Sequence, residues 1–306
     1  MAACLICLGV TRGRESYHPR CLNALFGSAQ PPTIDFDLAG LHTIALEMAG
    51  RMSISGVQRK VSVRLSADGS RIEPATRNGR YILKPQGTYP NIPENEHVTM
   101  RMAGLVGIQT PPFGLVRLKD KSLAYIVKRF DRTDQGEKLR QEDFCQLAKK
   151  PPQDKYEGSA ELCARIVRKY ANEPLIEIRK LYQLLLFSWW TCNMDMHLKN
   201  FTLLASADGI FGLSPAYDQV CTHLVIPDDR LAIPMGGRDK TITKPQWLRF
   251  ADYCELPRRA AEGIITRQCQ ALTRSKQLIT RSFLPEKMKE NYSALIMQRC
   301  ETLSTR

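Results

Sequence analysis

Long hydrophobic runs are missing from this chain. The longest strongly apolar stretch without a charge, Leu181 to Met194, lies between Lys180 and Asp195 and is too short for a bilayer, which needs roughly 20 residues. Gln183 and Asn193 interrupt it, so it reads as a buried helix. The N-terminus, MAACLICLGVTRGRES, lacks the basic opening of an export leader. No internal repeat or low-complexity tract is present, which excludes solenoids and disordered scaffolds. Acidic residues are the minority charge, 31 against 44 basic, giving +13; an excess of that sign suits an anionic partner such as a nucleotide, a nucleic acid or an acidic protein face. From Glu255 to Arg306 there are ten basic and five acidic residues. No nucleic-acid motif accompanies them, so this tail reads as a solvated helical surface. The 43% hydrophobic and 25% charged content supports one large domain or two lobes with a real core.

The ten cysteines are scattered along the chain. Cys163 and Cys192 sit in apolar, helix-like segments, as reduced and buried thiols of a cytoplasmic protein do. Cys4-x-x-Cys7 and His18-x-x-Cys21 have the outline of a zinc site. Cys4 to Cys7 lies in an apolar run where thiols pack well, and only one of the usual two CxxC pairs is present. The sequence therefore favours packed thiols and leaves metal binding open.

Residues 1–45 carry no clear pattern. Val61-Ser62-Val63-Arg64-Leu65 alternates as a half-buried strand does, and Asp68-Gly69 signals a hairpin. Tyr81-Ile82-Leu83 is a short strand ending at Lys84-Pro85. Asn95 to Val106 reads as a helix with Val98, Met102 and Leu105 on one face, stopped by Pro111-Pro112. Gly114 to Leu118 and Leu123 to Phe130 are two further strands. After Asp131 the texture becomes helical: Ser159–Tyr170, Leu175–Thr191, Lys244–Tyr253, Arg258–Arg274 and Pro285–Glu301, with a hairpin of Phe201–Leu204 and Ile210–Leu213 around Asp208-Gly209. The expected architecture is α+β and bilobal, a β-rich lobe over 1–131 and a helical lobe over 132–306.

The strongest chemical signal is Asn193-Met194-Asp195-Met196-His197-Leu198-Lys199-Asn200, set between the apolar helix and the hairpin. Protein kinases present their catalytic loop this way, an Asp serving as base and an Asn five positions later binding magnesium; Asp195 and Asn200 have that spacing. Ser214-Pro215-Ala216-Tyr217-Asp218 follows the hairpin, where a second magnesium ligand belongs, and Mg²⁺ requires hard oxygen donors of this kind. Tyr81-Ile82-Leu83-Lys84 resembles the kinase strand whose lysine reaches phosphate, and Glu96 in the next helix is the candidate to orient Lys84. Upstream, Met52 to Lys60 offers small residues whose backbone N–H groups can approach phosphates.

Taken in order, SISGVQRK, YILKP, ENEH, KRFDR, QEDFCQ, NMDMHLKN and PAYD resemble the HipA family of serine/threonine kinase toxins, and within it the shorter HipT type. The resemblance implies a protein-kinase-like fold that uses ATP and Mg²⁺. It makes Asp195 the catalytic base, Asn200 and Asp218 the metal ligands and Lys84 the phosphate-binding cation. Ser55, Gly56, Val57, Gln58, Arg59 and Lys60 would wrap the nucleotide. Lys128, Arg129 and Phe130 would form the adenine hinge, and His197, Leu198, Lys199, Asn200, Tyr217 and Asp218 would complete the pocket. The sequence departs from ordinary kinases in having no GxGxxG, in carrying the loop lysine at Asp195 plus four, and in following Asp218 with Gln219-Val220. The resemblance further implies autophosphorylation in this loop, at Ser53, Ser55 or both; a phosphoserine carries about −1.5 to −2 charge and would repel the nucleotide phosphates there.

About 50 residues precede this loop, fewer than in HipA. The resemblance therefore implies a separate small HipS-like antitoxin similar to the absent subdomain, a helix-turn-helix HipB-like DNA-binding partner, and an aminoacyl-tRNA synthetase substrate, tryptophanyl favoured and glutamyl possible. No membrane role and no strong direct nucleic-acid binding are expected. The expected location is the bacterial cytoplasm, with export into a host cell left open. The rival reading is a catalytically silent kinase-fold regulator that binds nucleotide or nucleic acid.

Overall fold

A computed structural model describes residues 2–13, 15–49, 59–133, 135–228 and 230–305. The chain divides into two units. The first comprises residues 1–101, 111–138 and 280–284, the second 102–110, 139–279 and 285–306.

The first unit is built on a five-stranded antiparallel sheet ordered β2-β1-β3-β5-β4. Its strands are β1 (Val61–Leu65), β2 (Ile72–Pro74), β3 (Tyr81–Pro85), β4 (Phe113–Arg117) and β5 (Leu123–Lys128). The period of two divides their side chains between two cores. Val61, Val63, Tyr81, Leu83, Val116, Ala124 and Ile126 face one way, and are covered by Leu22, Leu25 and Phe26 of helix α1 (Pro19–Phe26) and Leu41, Ala45 and Met48 of α2 (Leu38–Ala49). Phe113, Leu115, Tyr125 and Val127 face the other way, where Met100 of α3 (Ile92–Leu105) packs. Helices α1 and α2 fall in the N-terminal stretch whose sequence shows no clear pattern.

The second unit has a three-stranded antiparallel sheet, β6 (Gln141–Asp143), β7 (Thr202–Ala205) and β8 (Phe211–Leu213), with β7 central. Around it stand α4 (Phe144–Leu147), α5 (Ala160–Tyr170), α6 (Pro174–Trp190), α7 (Lys244–Tyr253), α8 (Arg258–Gln270), α9 (Leu272–Arg281, its last two residues falling in the first unit) and α10 (Glu286–Ser304). The apolar run forms most of α6, which is buried on every side along its C-terminal half, as a helix apolar all round must be. Tyr182 stacks on Phe250, ring centroids 5.9 Å apart, and its hydroxyl donates to the Trp247 carbonyl at 3.1 Å. The single helix expected over Arg258–Arg274 is instead two, joined at Ala271 and continuing to Arg281. Ile264 and Ile265 of α8 and Ile279 of α9 are buried; the break at Ala271 re-aims the apolar stripe, a turn that the sequence periodicity does not mark.

Candidate active site

In the first unit, strand alternation sets the chemistry. Leu83 points to the α1–α2 core, so Lys84 points to the other face, where its register partner is Tyr125. The ammonium lies 5.6 Å from the Tyr125 ring centre. The same face carries α3, whose Glu96 accepts from Lys84 Nζ through Oε1 at 2.7 Å; the two side chains are 6% and 1% exposed. Two charges withdrawn from water to this degree are tolerable only when they neutralise each other. The neighbouring His97 is fully buried and donates through Nε2 to the Ile6 carbonyl at 2.8 Å, because a carbonyl can only accept. Burial drives its pKa down to about 3, so the imidazole is neutral.

On the adjoining strand Lys128 pairs in register with Tyr81 and donates its backbone N–H to Pro112. Arg129 forms a two-pronged ion pair with Asp131, 2.9 and 2.7 Å, and Arg132 shares the Asp131 Oδ2 at 2.7 Å. Burial pushes Asp131 up, but these guanidinium groups outweigh it and hold the carboxyl below its usual range. The Arg129 guanidinium is therefore committed within its own segment, and Phe130 is half-buried beside it. Arg59 is exposed and Lys60 half-buried immediately before β1. Ser53, Ser55, Gly56, Val57 and Gln58 lie outside the described residues.

In the second unit the chain leaves α6 through a left-handed turn. Cys192, at φ 54°, donates to the Trp189 carbonyl, and Asn193 to that of Ser188. That bond pair satisfies the last carbonyls of the helix and reverses the chain. Asn193 then joins two loops with one amide: its Oδ1 accepts the Asp195 N–H at 3.3 Å, and its Nδ2 donates to the Asp218 carbonyl at 3.2 Å. Asp218 itself is held at φ 53°, a left-handed conformation uncommon outside glycine that aspartate adopts more readily than most residues. The exposed Asp195 accepts from the Tyr156 hydroxyl at 2.7 Å. Burial and the Asp195 acceptor raise the Tyr156 pKa, so the phenol keeps its proton and stays a donor.

A one-turn helix at Leu198–Asn200 follows. Leu198 is wholly buried against Gly158, where a Cβ would come within 2.7 Å of it; only glycine allows that approach. The Lys199 ammonium is held by Asp143 Oδ2 at 2.8 Å, while the other oxygen of Asp143 caps α4 by accepting the Gln146 N–H. The Lys199 carbonyl accepts from the Tyr217 hydroxyl at 2.9 Å, which also meets Thr202 at 2.6 Å. Gln219 is fully buried and joins Ser188 of α6 to the Tyr217 carbonyl, fixing the chain on either side of Asp218. Burial lowers the His197 pKa, opposed by the charges of Asp195 and Asp218. One imidazole therefore feels both carboxylates. Its Nδ1 is buried with no hydrogen-bond partner among the described residues.

The structure thus brings Asp195, His197, Leu198, Lys199, Asn200, Tyr217 and Asp218 into one network in the second unit, and Lys84 and Lys128 onto neighbouring strands in the first, with Arg129 and Phe130 just beyond the end of β5. Leu198 contributes packing rather than a polar group. Sequence reasoning missed Asn193, Asp143 and Tyr156 as supports. Asn193 and Asp143 stand inside motifs, and the Asp143-x-x-Gln146 capping signal was legible; Tyr156 has no local signal. The donor set of Asn200 and Asp218, an amide and a carboxylate, fits a hard cation such as Mg²⁺.

The antiparallel sheet carrying a lysine paired to a helix glutamate, and the helical unit carrying this loop network, define a kinase-like α+β fold. It matches HipA from a complex of HipA, HipB and operator DNA of a Shewanella oneidensis MR-1 toxin–antitoxin system, with a TM-score of 0.68 and 24% identity over 82% of this chain and 65% of that one. The Helicobacter pylori proinflammatory kinase CtkA matches with a TM-score of 0.56 and 12% identity, over 79% and 94%. Residues 52–276 match the HipA-like C-terminal domain, and the chain belongs to that family. Among its relatives are a candidate kinase of Haemophilus influenzae, 26% identical over 72% of this chain and 69% of its own length, and the serine/threonine-protein kinase toxin HipA of Shewanella oneidensis, 25% identical over 82% and 64%. The chain spans between 47% and 69% of the lengths of the curated relatives it matches. Among the described residues no helix is long and apolar enough to cross a membrane.

Proposed function

We propose that this chain is an ATP-dependent protein serine/threonine kinase and the toxin of a HipBST-like toxin–antitoxin system. The observation that carries the reading is the Asn193 amide, which fixes the backbone of Asp195 and of Asp218 at once and so sets a proton acceptor and a metal ligand in one frame. Asp195 accepts the proton of a substrate serine or threonine hydroxyl, with Tyr156 holding its carboxylate in orientation. The substrate oxygen bonds to the γ-phosphorus as the bridge to ADP breaks. Lys84, steadied by Glu96, neutralises phosphate charge. Asn200 and Asp218 would hold Mg²⁺, which when bound would supply charge neutralisation at the phosphates. Alignment and charge neutralisation supply most of the acceleration.

An aminoacyl-tRNA synthetase is the proposed target, tryptophanyl before glutamyl. Phosphorylation would leave tRNA uncharged and arrest translation. A HipS-like small protein and a HipB-like DNA-binding protein are the proposed partners, and Ser53, Ser55 or both the site of autophosphorylation.

The test is labelled ATP added to a bacterial lysate with the wild-type chain or with Asp195→Asn, followed by identification of the labelled band and phosphopeptide mapping of the enzyme. A band of synthetase size, a modified Ser53 or Ser55 and growth arrest are expected for the wild type alone. Equal toxicity of the two proteins defeats the catalytic reading.

A further inference from the structure

Four metal-ligating side chains meet in the N-terminal stretch of the first unit. Cys4 Sγ, Cys7 Sγ, His18 and Cys21 Sγ place their ligand atoms all within 4.8 Å of one another. Tetrahedral zinc, with Zn–S of ~2.3 Å and Zn–N of ~2.0 Å, sets such atoms about 3.5–3.8 Å apart. His18 Nδ1 lies 3.3 Å from Cys7 Sγ and 3.7 Å from Cys21 Sγ.

The backbone is arranged for the same purpose. The first pair of ligands lies on a tight turn: Cys4 N–H donates to Gly9, Leu8 N–H donates to Cys4, and Leu8 sits at φ 60°. Two residues beyond each thiol a backbone N–H points back at its sulfur, Ile6 to Cys4 and Gly9 to Cys7, each 3.4 Å. Such N–H···S contacts stabilise thiolate charge. A Cβ at Gly9 would meet Cys7 Sγ and the His18 ring at 3.3 Å, a tight contact that a glycine relieves. The second pair enters at α1, His18 as N-cap and Cys21 one turn on, where the positive end of the helix favours thiolate.

The histidine tautomer is fixed as well. His18 Nε2 lies 2.9 Å from the Val10 carbonyl, which can only accept. Nε2 therefore carries the proton and Nδ1 turns its lone pair toward the thiols, as outer hydrogen bonds do for metal-bound histidine.

We propose that Cys4, Cys7, His18 and Cys21 bind one structural zinc ion. Three thiolates and a neutral imidazole fill all four positions, so no open site remains for catalysis. Binding displaces three thiol protons to solvent. The sequence favours packed thiols here; a thiol S–H donated to Nδ1 accounts for one sulfur facing the imidazole lone pair, whereas two sulfurs face it, at 3.3 and 3.7 Å.

The consequence lies in the first unit. Between the two knuckle cysteines, Leu5 accepts the Leu115 N–H at 2.8 Å and Ile6 accepts from His97. Tyr17, between the two ligand pairs, donates to the Leu115 carbonyl at 3.2 Å. Leu115 is on β4, the edge of the sheet. The metal would thus clamp a cover onto an otherwise open strand edge and brace α3, the helix of Glu96.

The test uses the full chain, tag-free and reduced, purified without chelator. Elemental analysis should find about one zinc per chain. Cys7→Ser/Cys21→Ser should lose it and Cys269→Ser should keep it, with the thermal midpoint of the zinc-free form lowered by roughly 5–10 °C. If the double variant does not fold, cobalt exchanged into wild-type protein provides the second measurement. It should give the visible bands of a tetrahedral thiolate site. A folded wild-type chain that carries no zinc and gives no such spectrum overturns the proposal, as does zinc retained by a folded double variant. Neither outcome depends on kinase activity.

Discussion

A lysine and a glutamate twelve positions apart meet in the interior of the first unit because one follows the alternation of a strand and the other the face of a helix. Their bond is worth less to stability than its burial suggests, since both ions gave up water to form it. Breaking it is another matter. Glu96→Leu leaves the Lys84 ammonium buried without its carboxylate and should cost about 3–5 kcal/mol, read from urea unfolding. Adding Lys84→Met should recover most of that loss, and on the proposed kinase reading both variants should lose phosphotransfer. A double variant as unstable as the single one would show that packing, not charge, governs the site.

Elements are held by groups that act twice. Asp143 caps α4 with one oxygen and holds Lys199 with the other. Asparagine is as good a cap as aspartate but carries no charge for the ammonium. Asp143→Asn should therefore unfold close to the wild-type midpoint yet turn over more slowly, while Asp143→Ala should also lose about 1 kcal/mol of capping. Kinase rates and unfolding curves on both variants separate the two contributions; equal activity of Asp143→Asn and wild type would detach Lys199 from catalysis. The turn at Cys192 works the same way, finishing α6 and releasing Asn193 toward Asp195 and Asp218.

For the whole molecule, His97 couples stability to pH. Its pKa is about 3 when folded and about 6.5 when unfolded. Above 6.5 neither state binds the proton and His97 contributes nothing. Below 6.5 the unfolded chain takes up a proton that the folded chain refuses until near 3, so stability falls as pH falls through that window. The loss at pH 5 should be about 2 kcal/mol. Melting curves between pH 7 and pH 5 should show it, and His97→Gln, which keeps a donor for the Ile6 carbonyl, should flatten the slope.

Where the sequence spoke for itself, the relation was local. Alternation at Val61–Leu65 and at Tyr81–Lys84, the all-apolar α6, and the spacing of Asp195 and Asn200 each depend on neighbours within a few residues, and period and spacing reveal such relations directly. Even Lys84 and Glu96 could be paired on paper, as ends of successive elements. Helices α1 and α2 were opaque because their apolar residues answer to a sheet formed much later in the chain. Tyr156 reaches Asp195 across 39 residues, and His18 faces Cys7 across eleven. These contacts exist because distant segments bury apolar surface together, and no short window of sequence contains the partner. Composition and periodicity determined which elements form and which side chains share a face; tertiary packing alone decided which of those faces meet, and with them the supports of Asp195 and the convergence of four sulfur and nitrogen ligands.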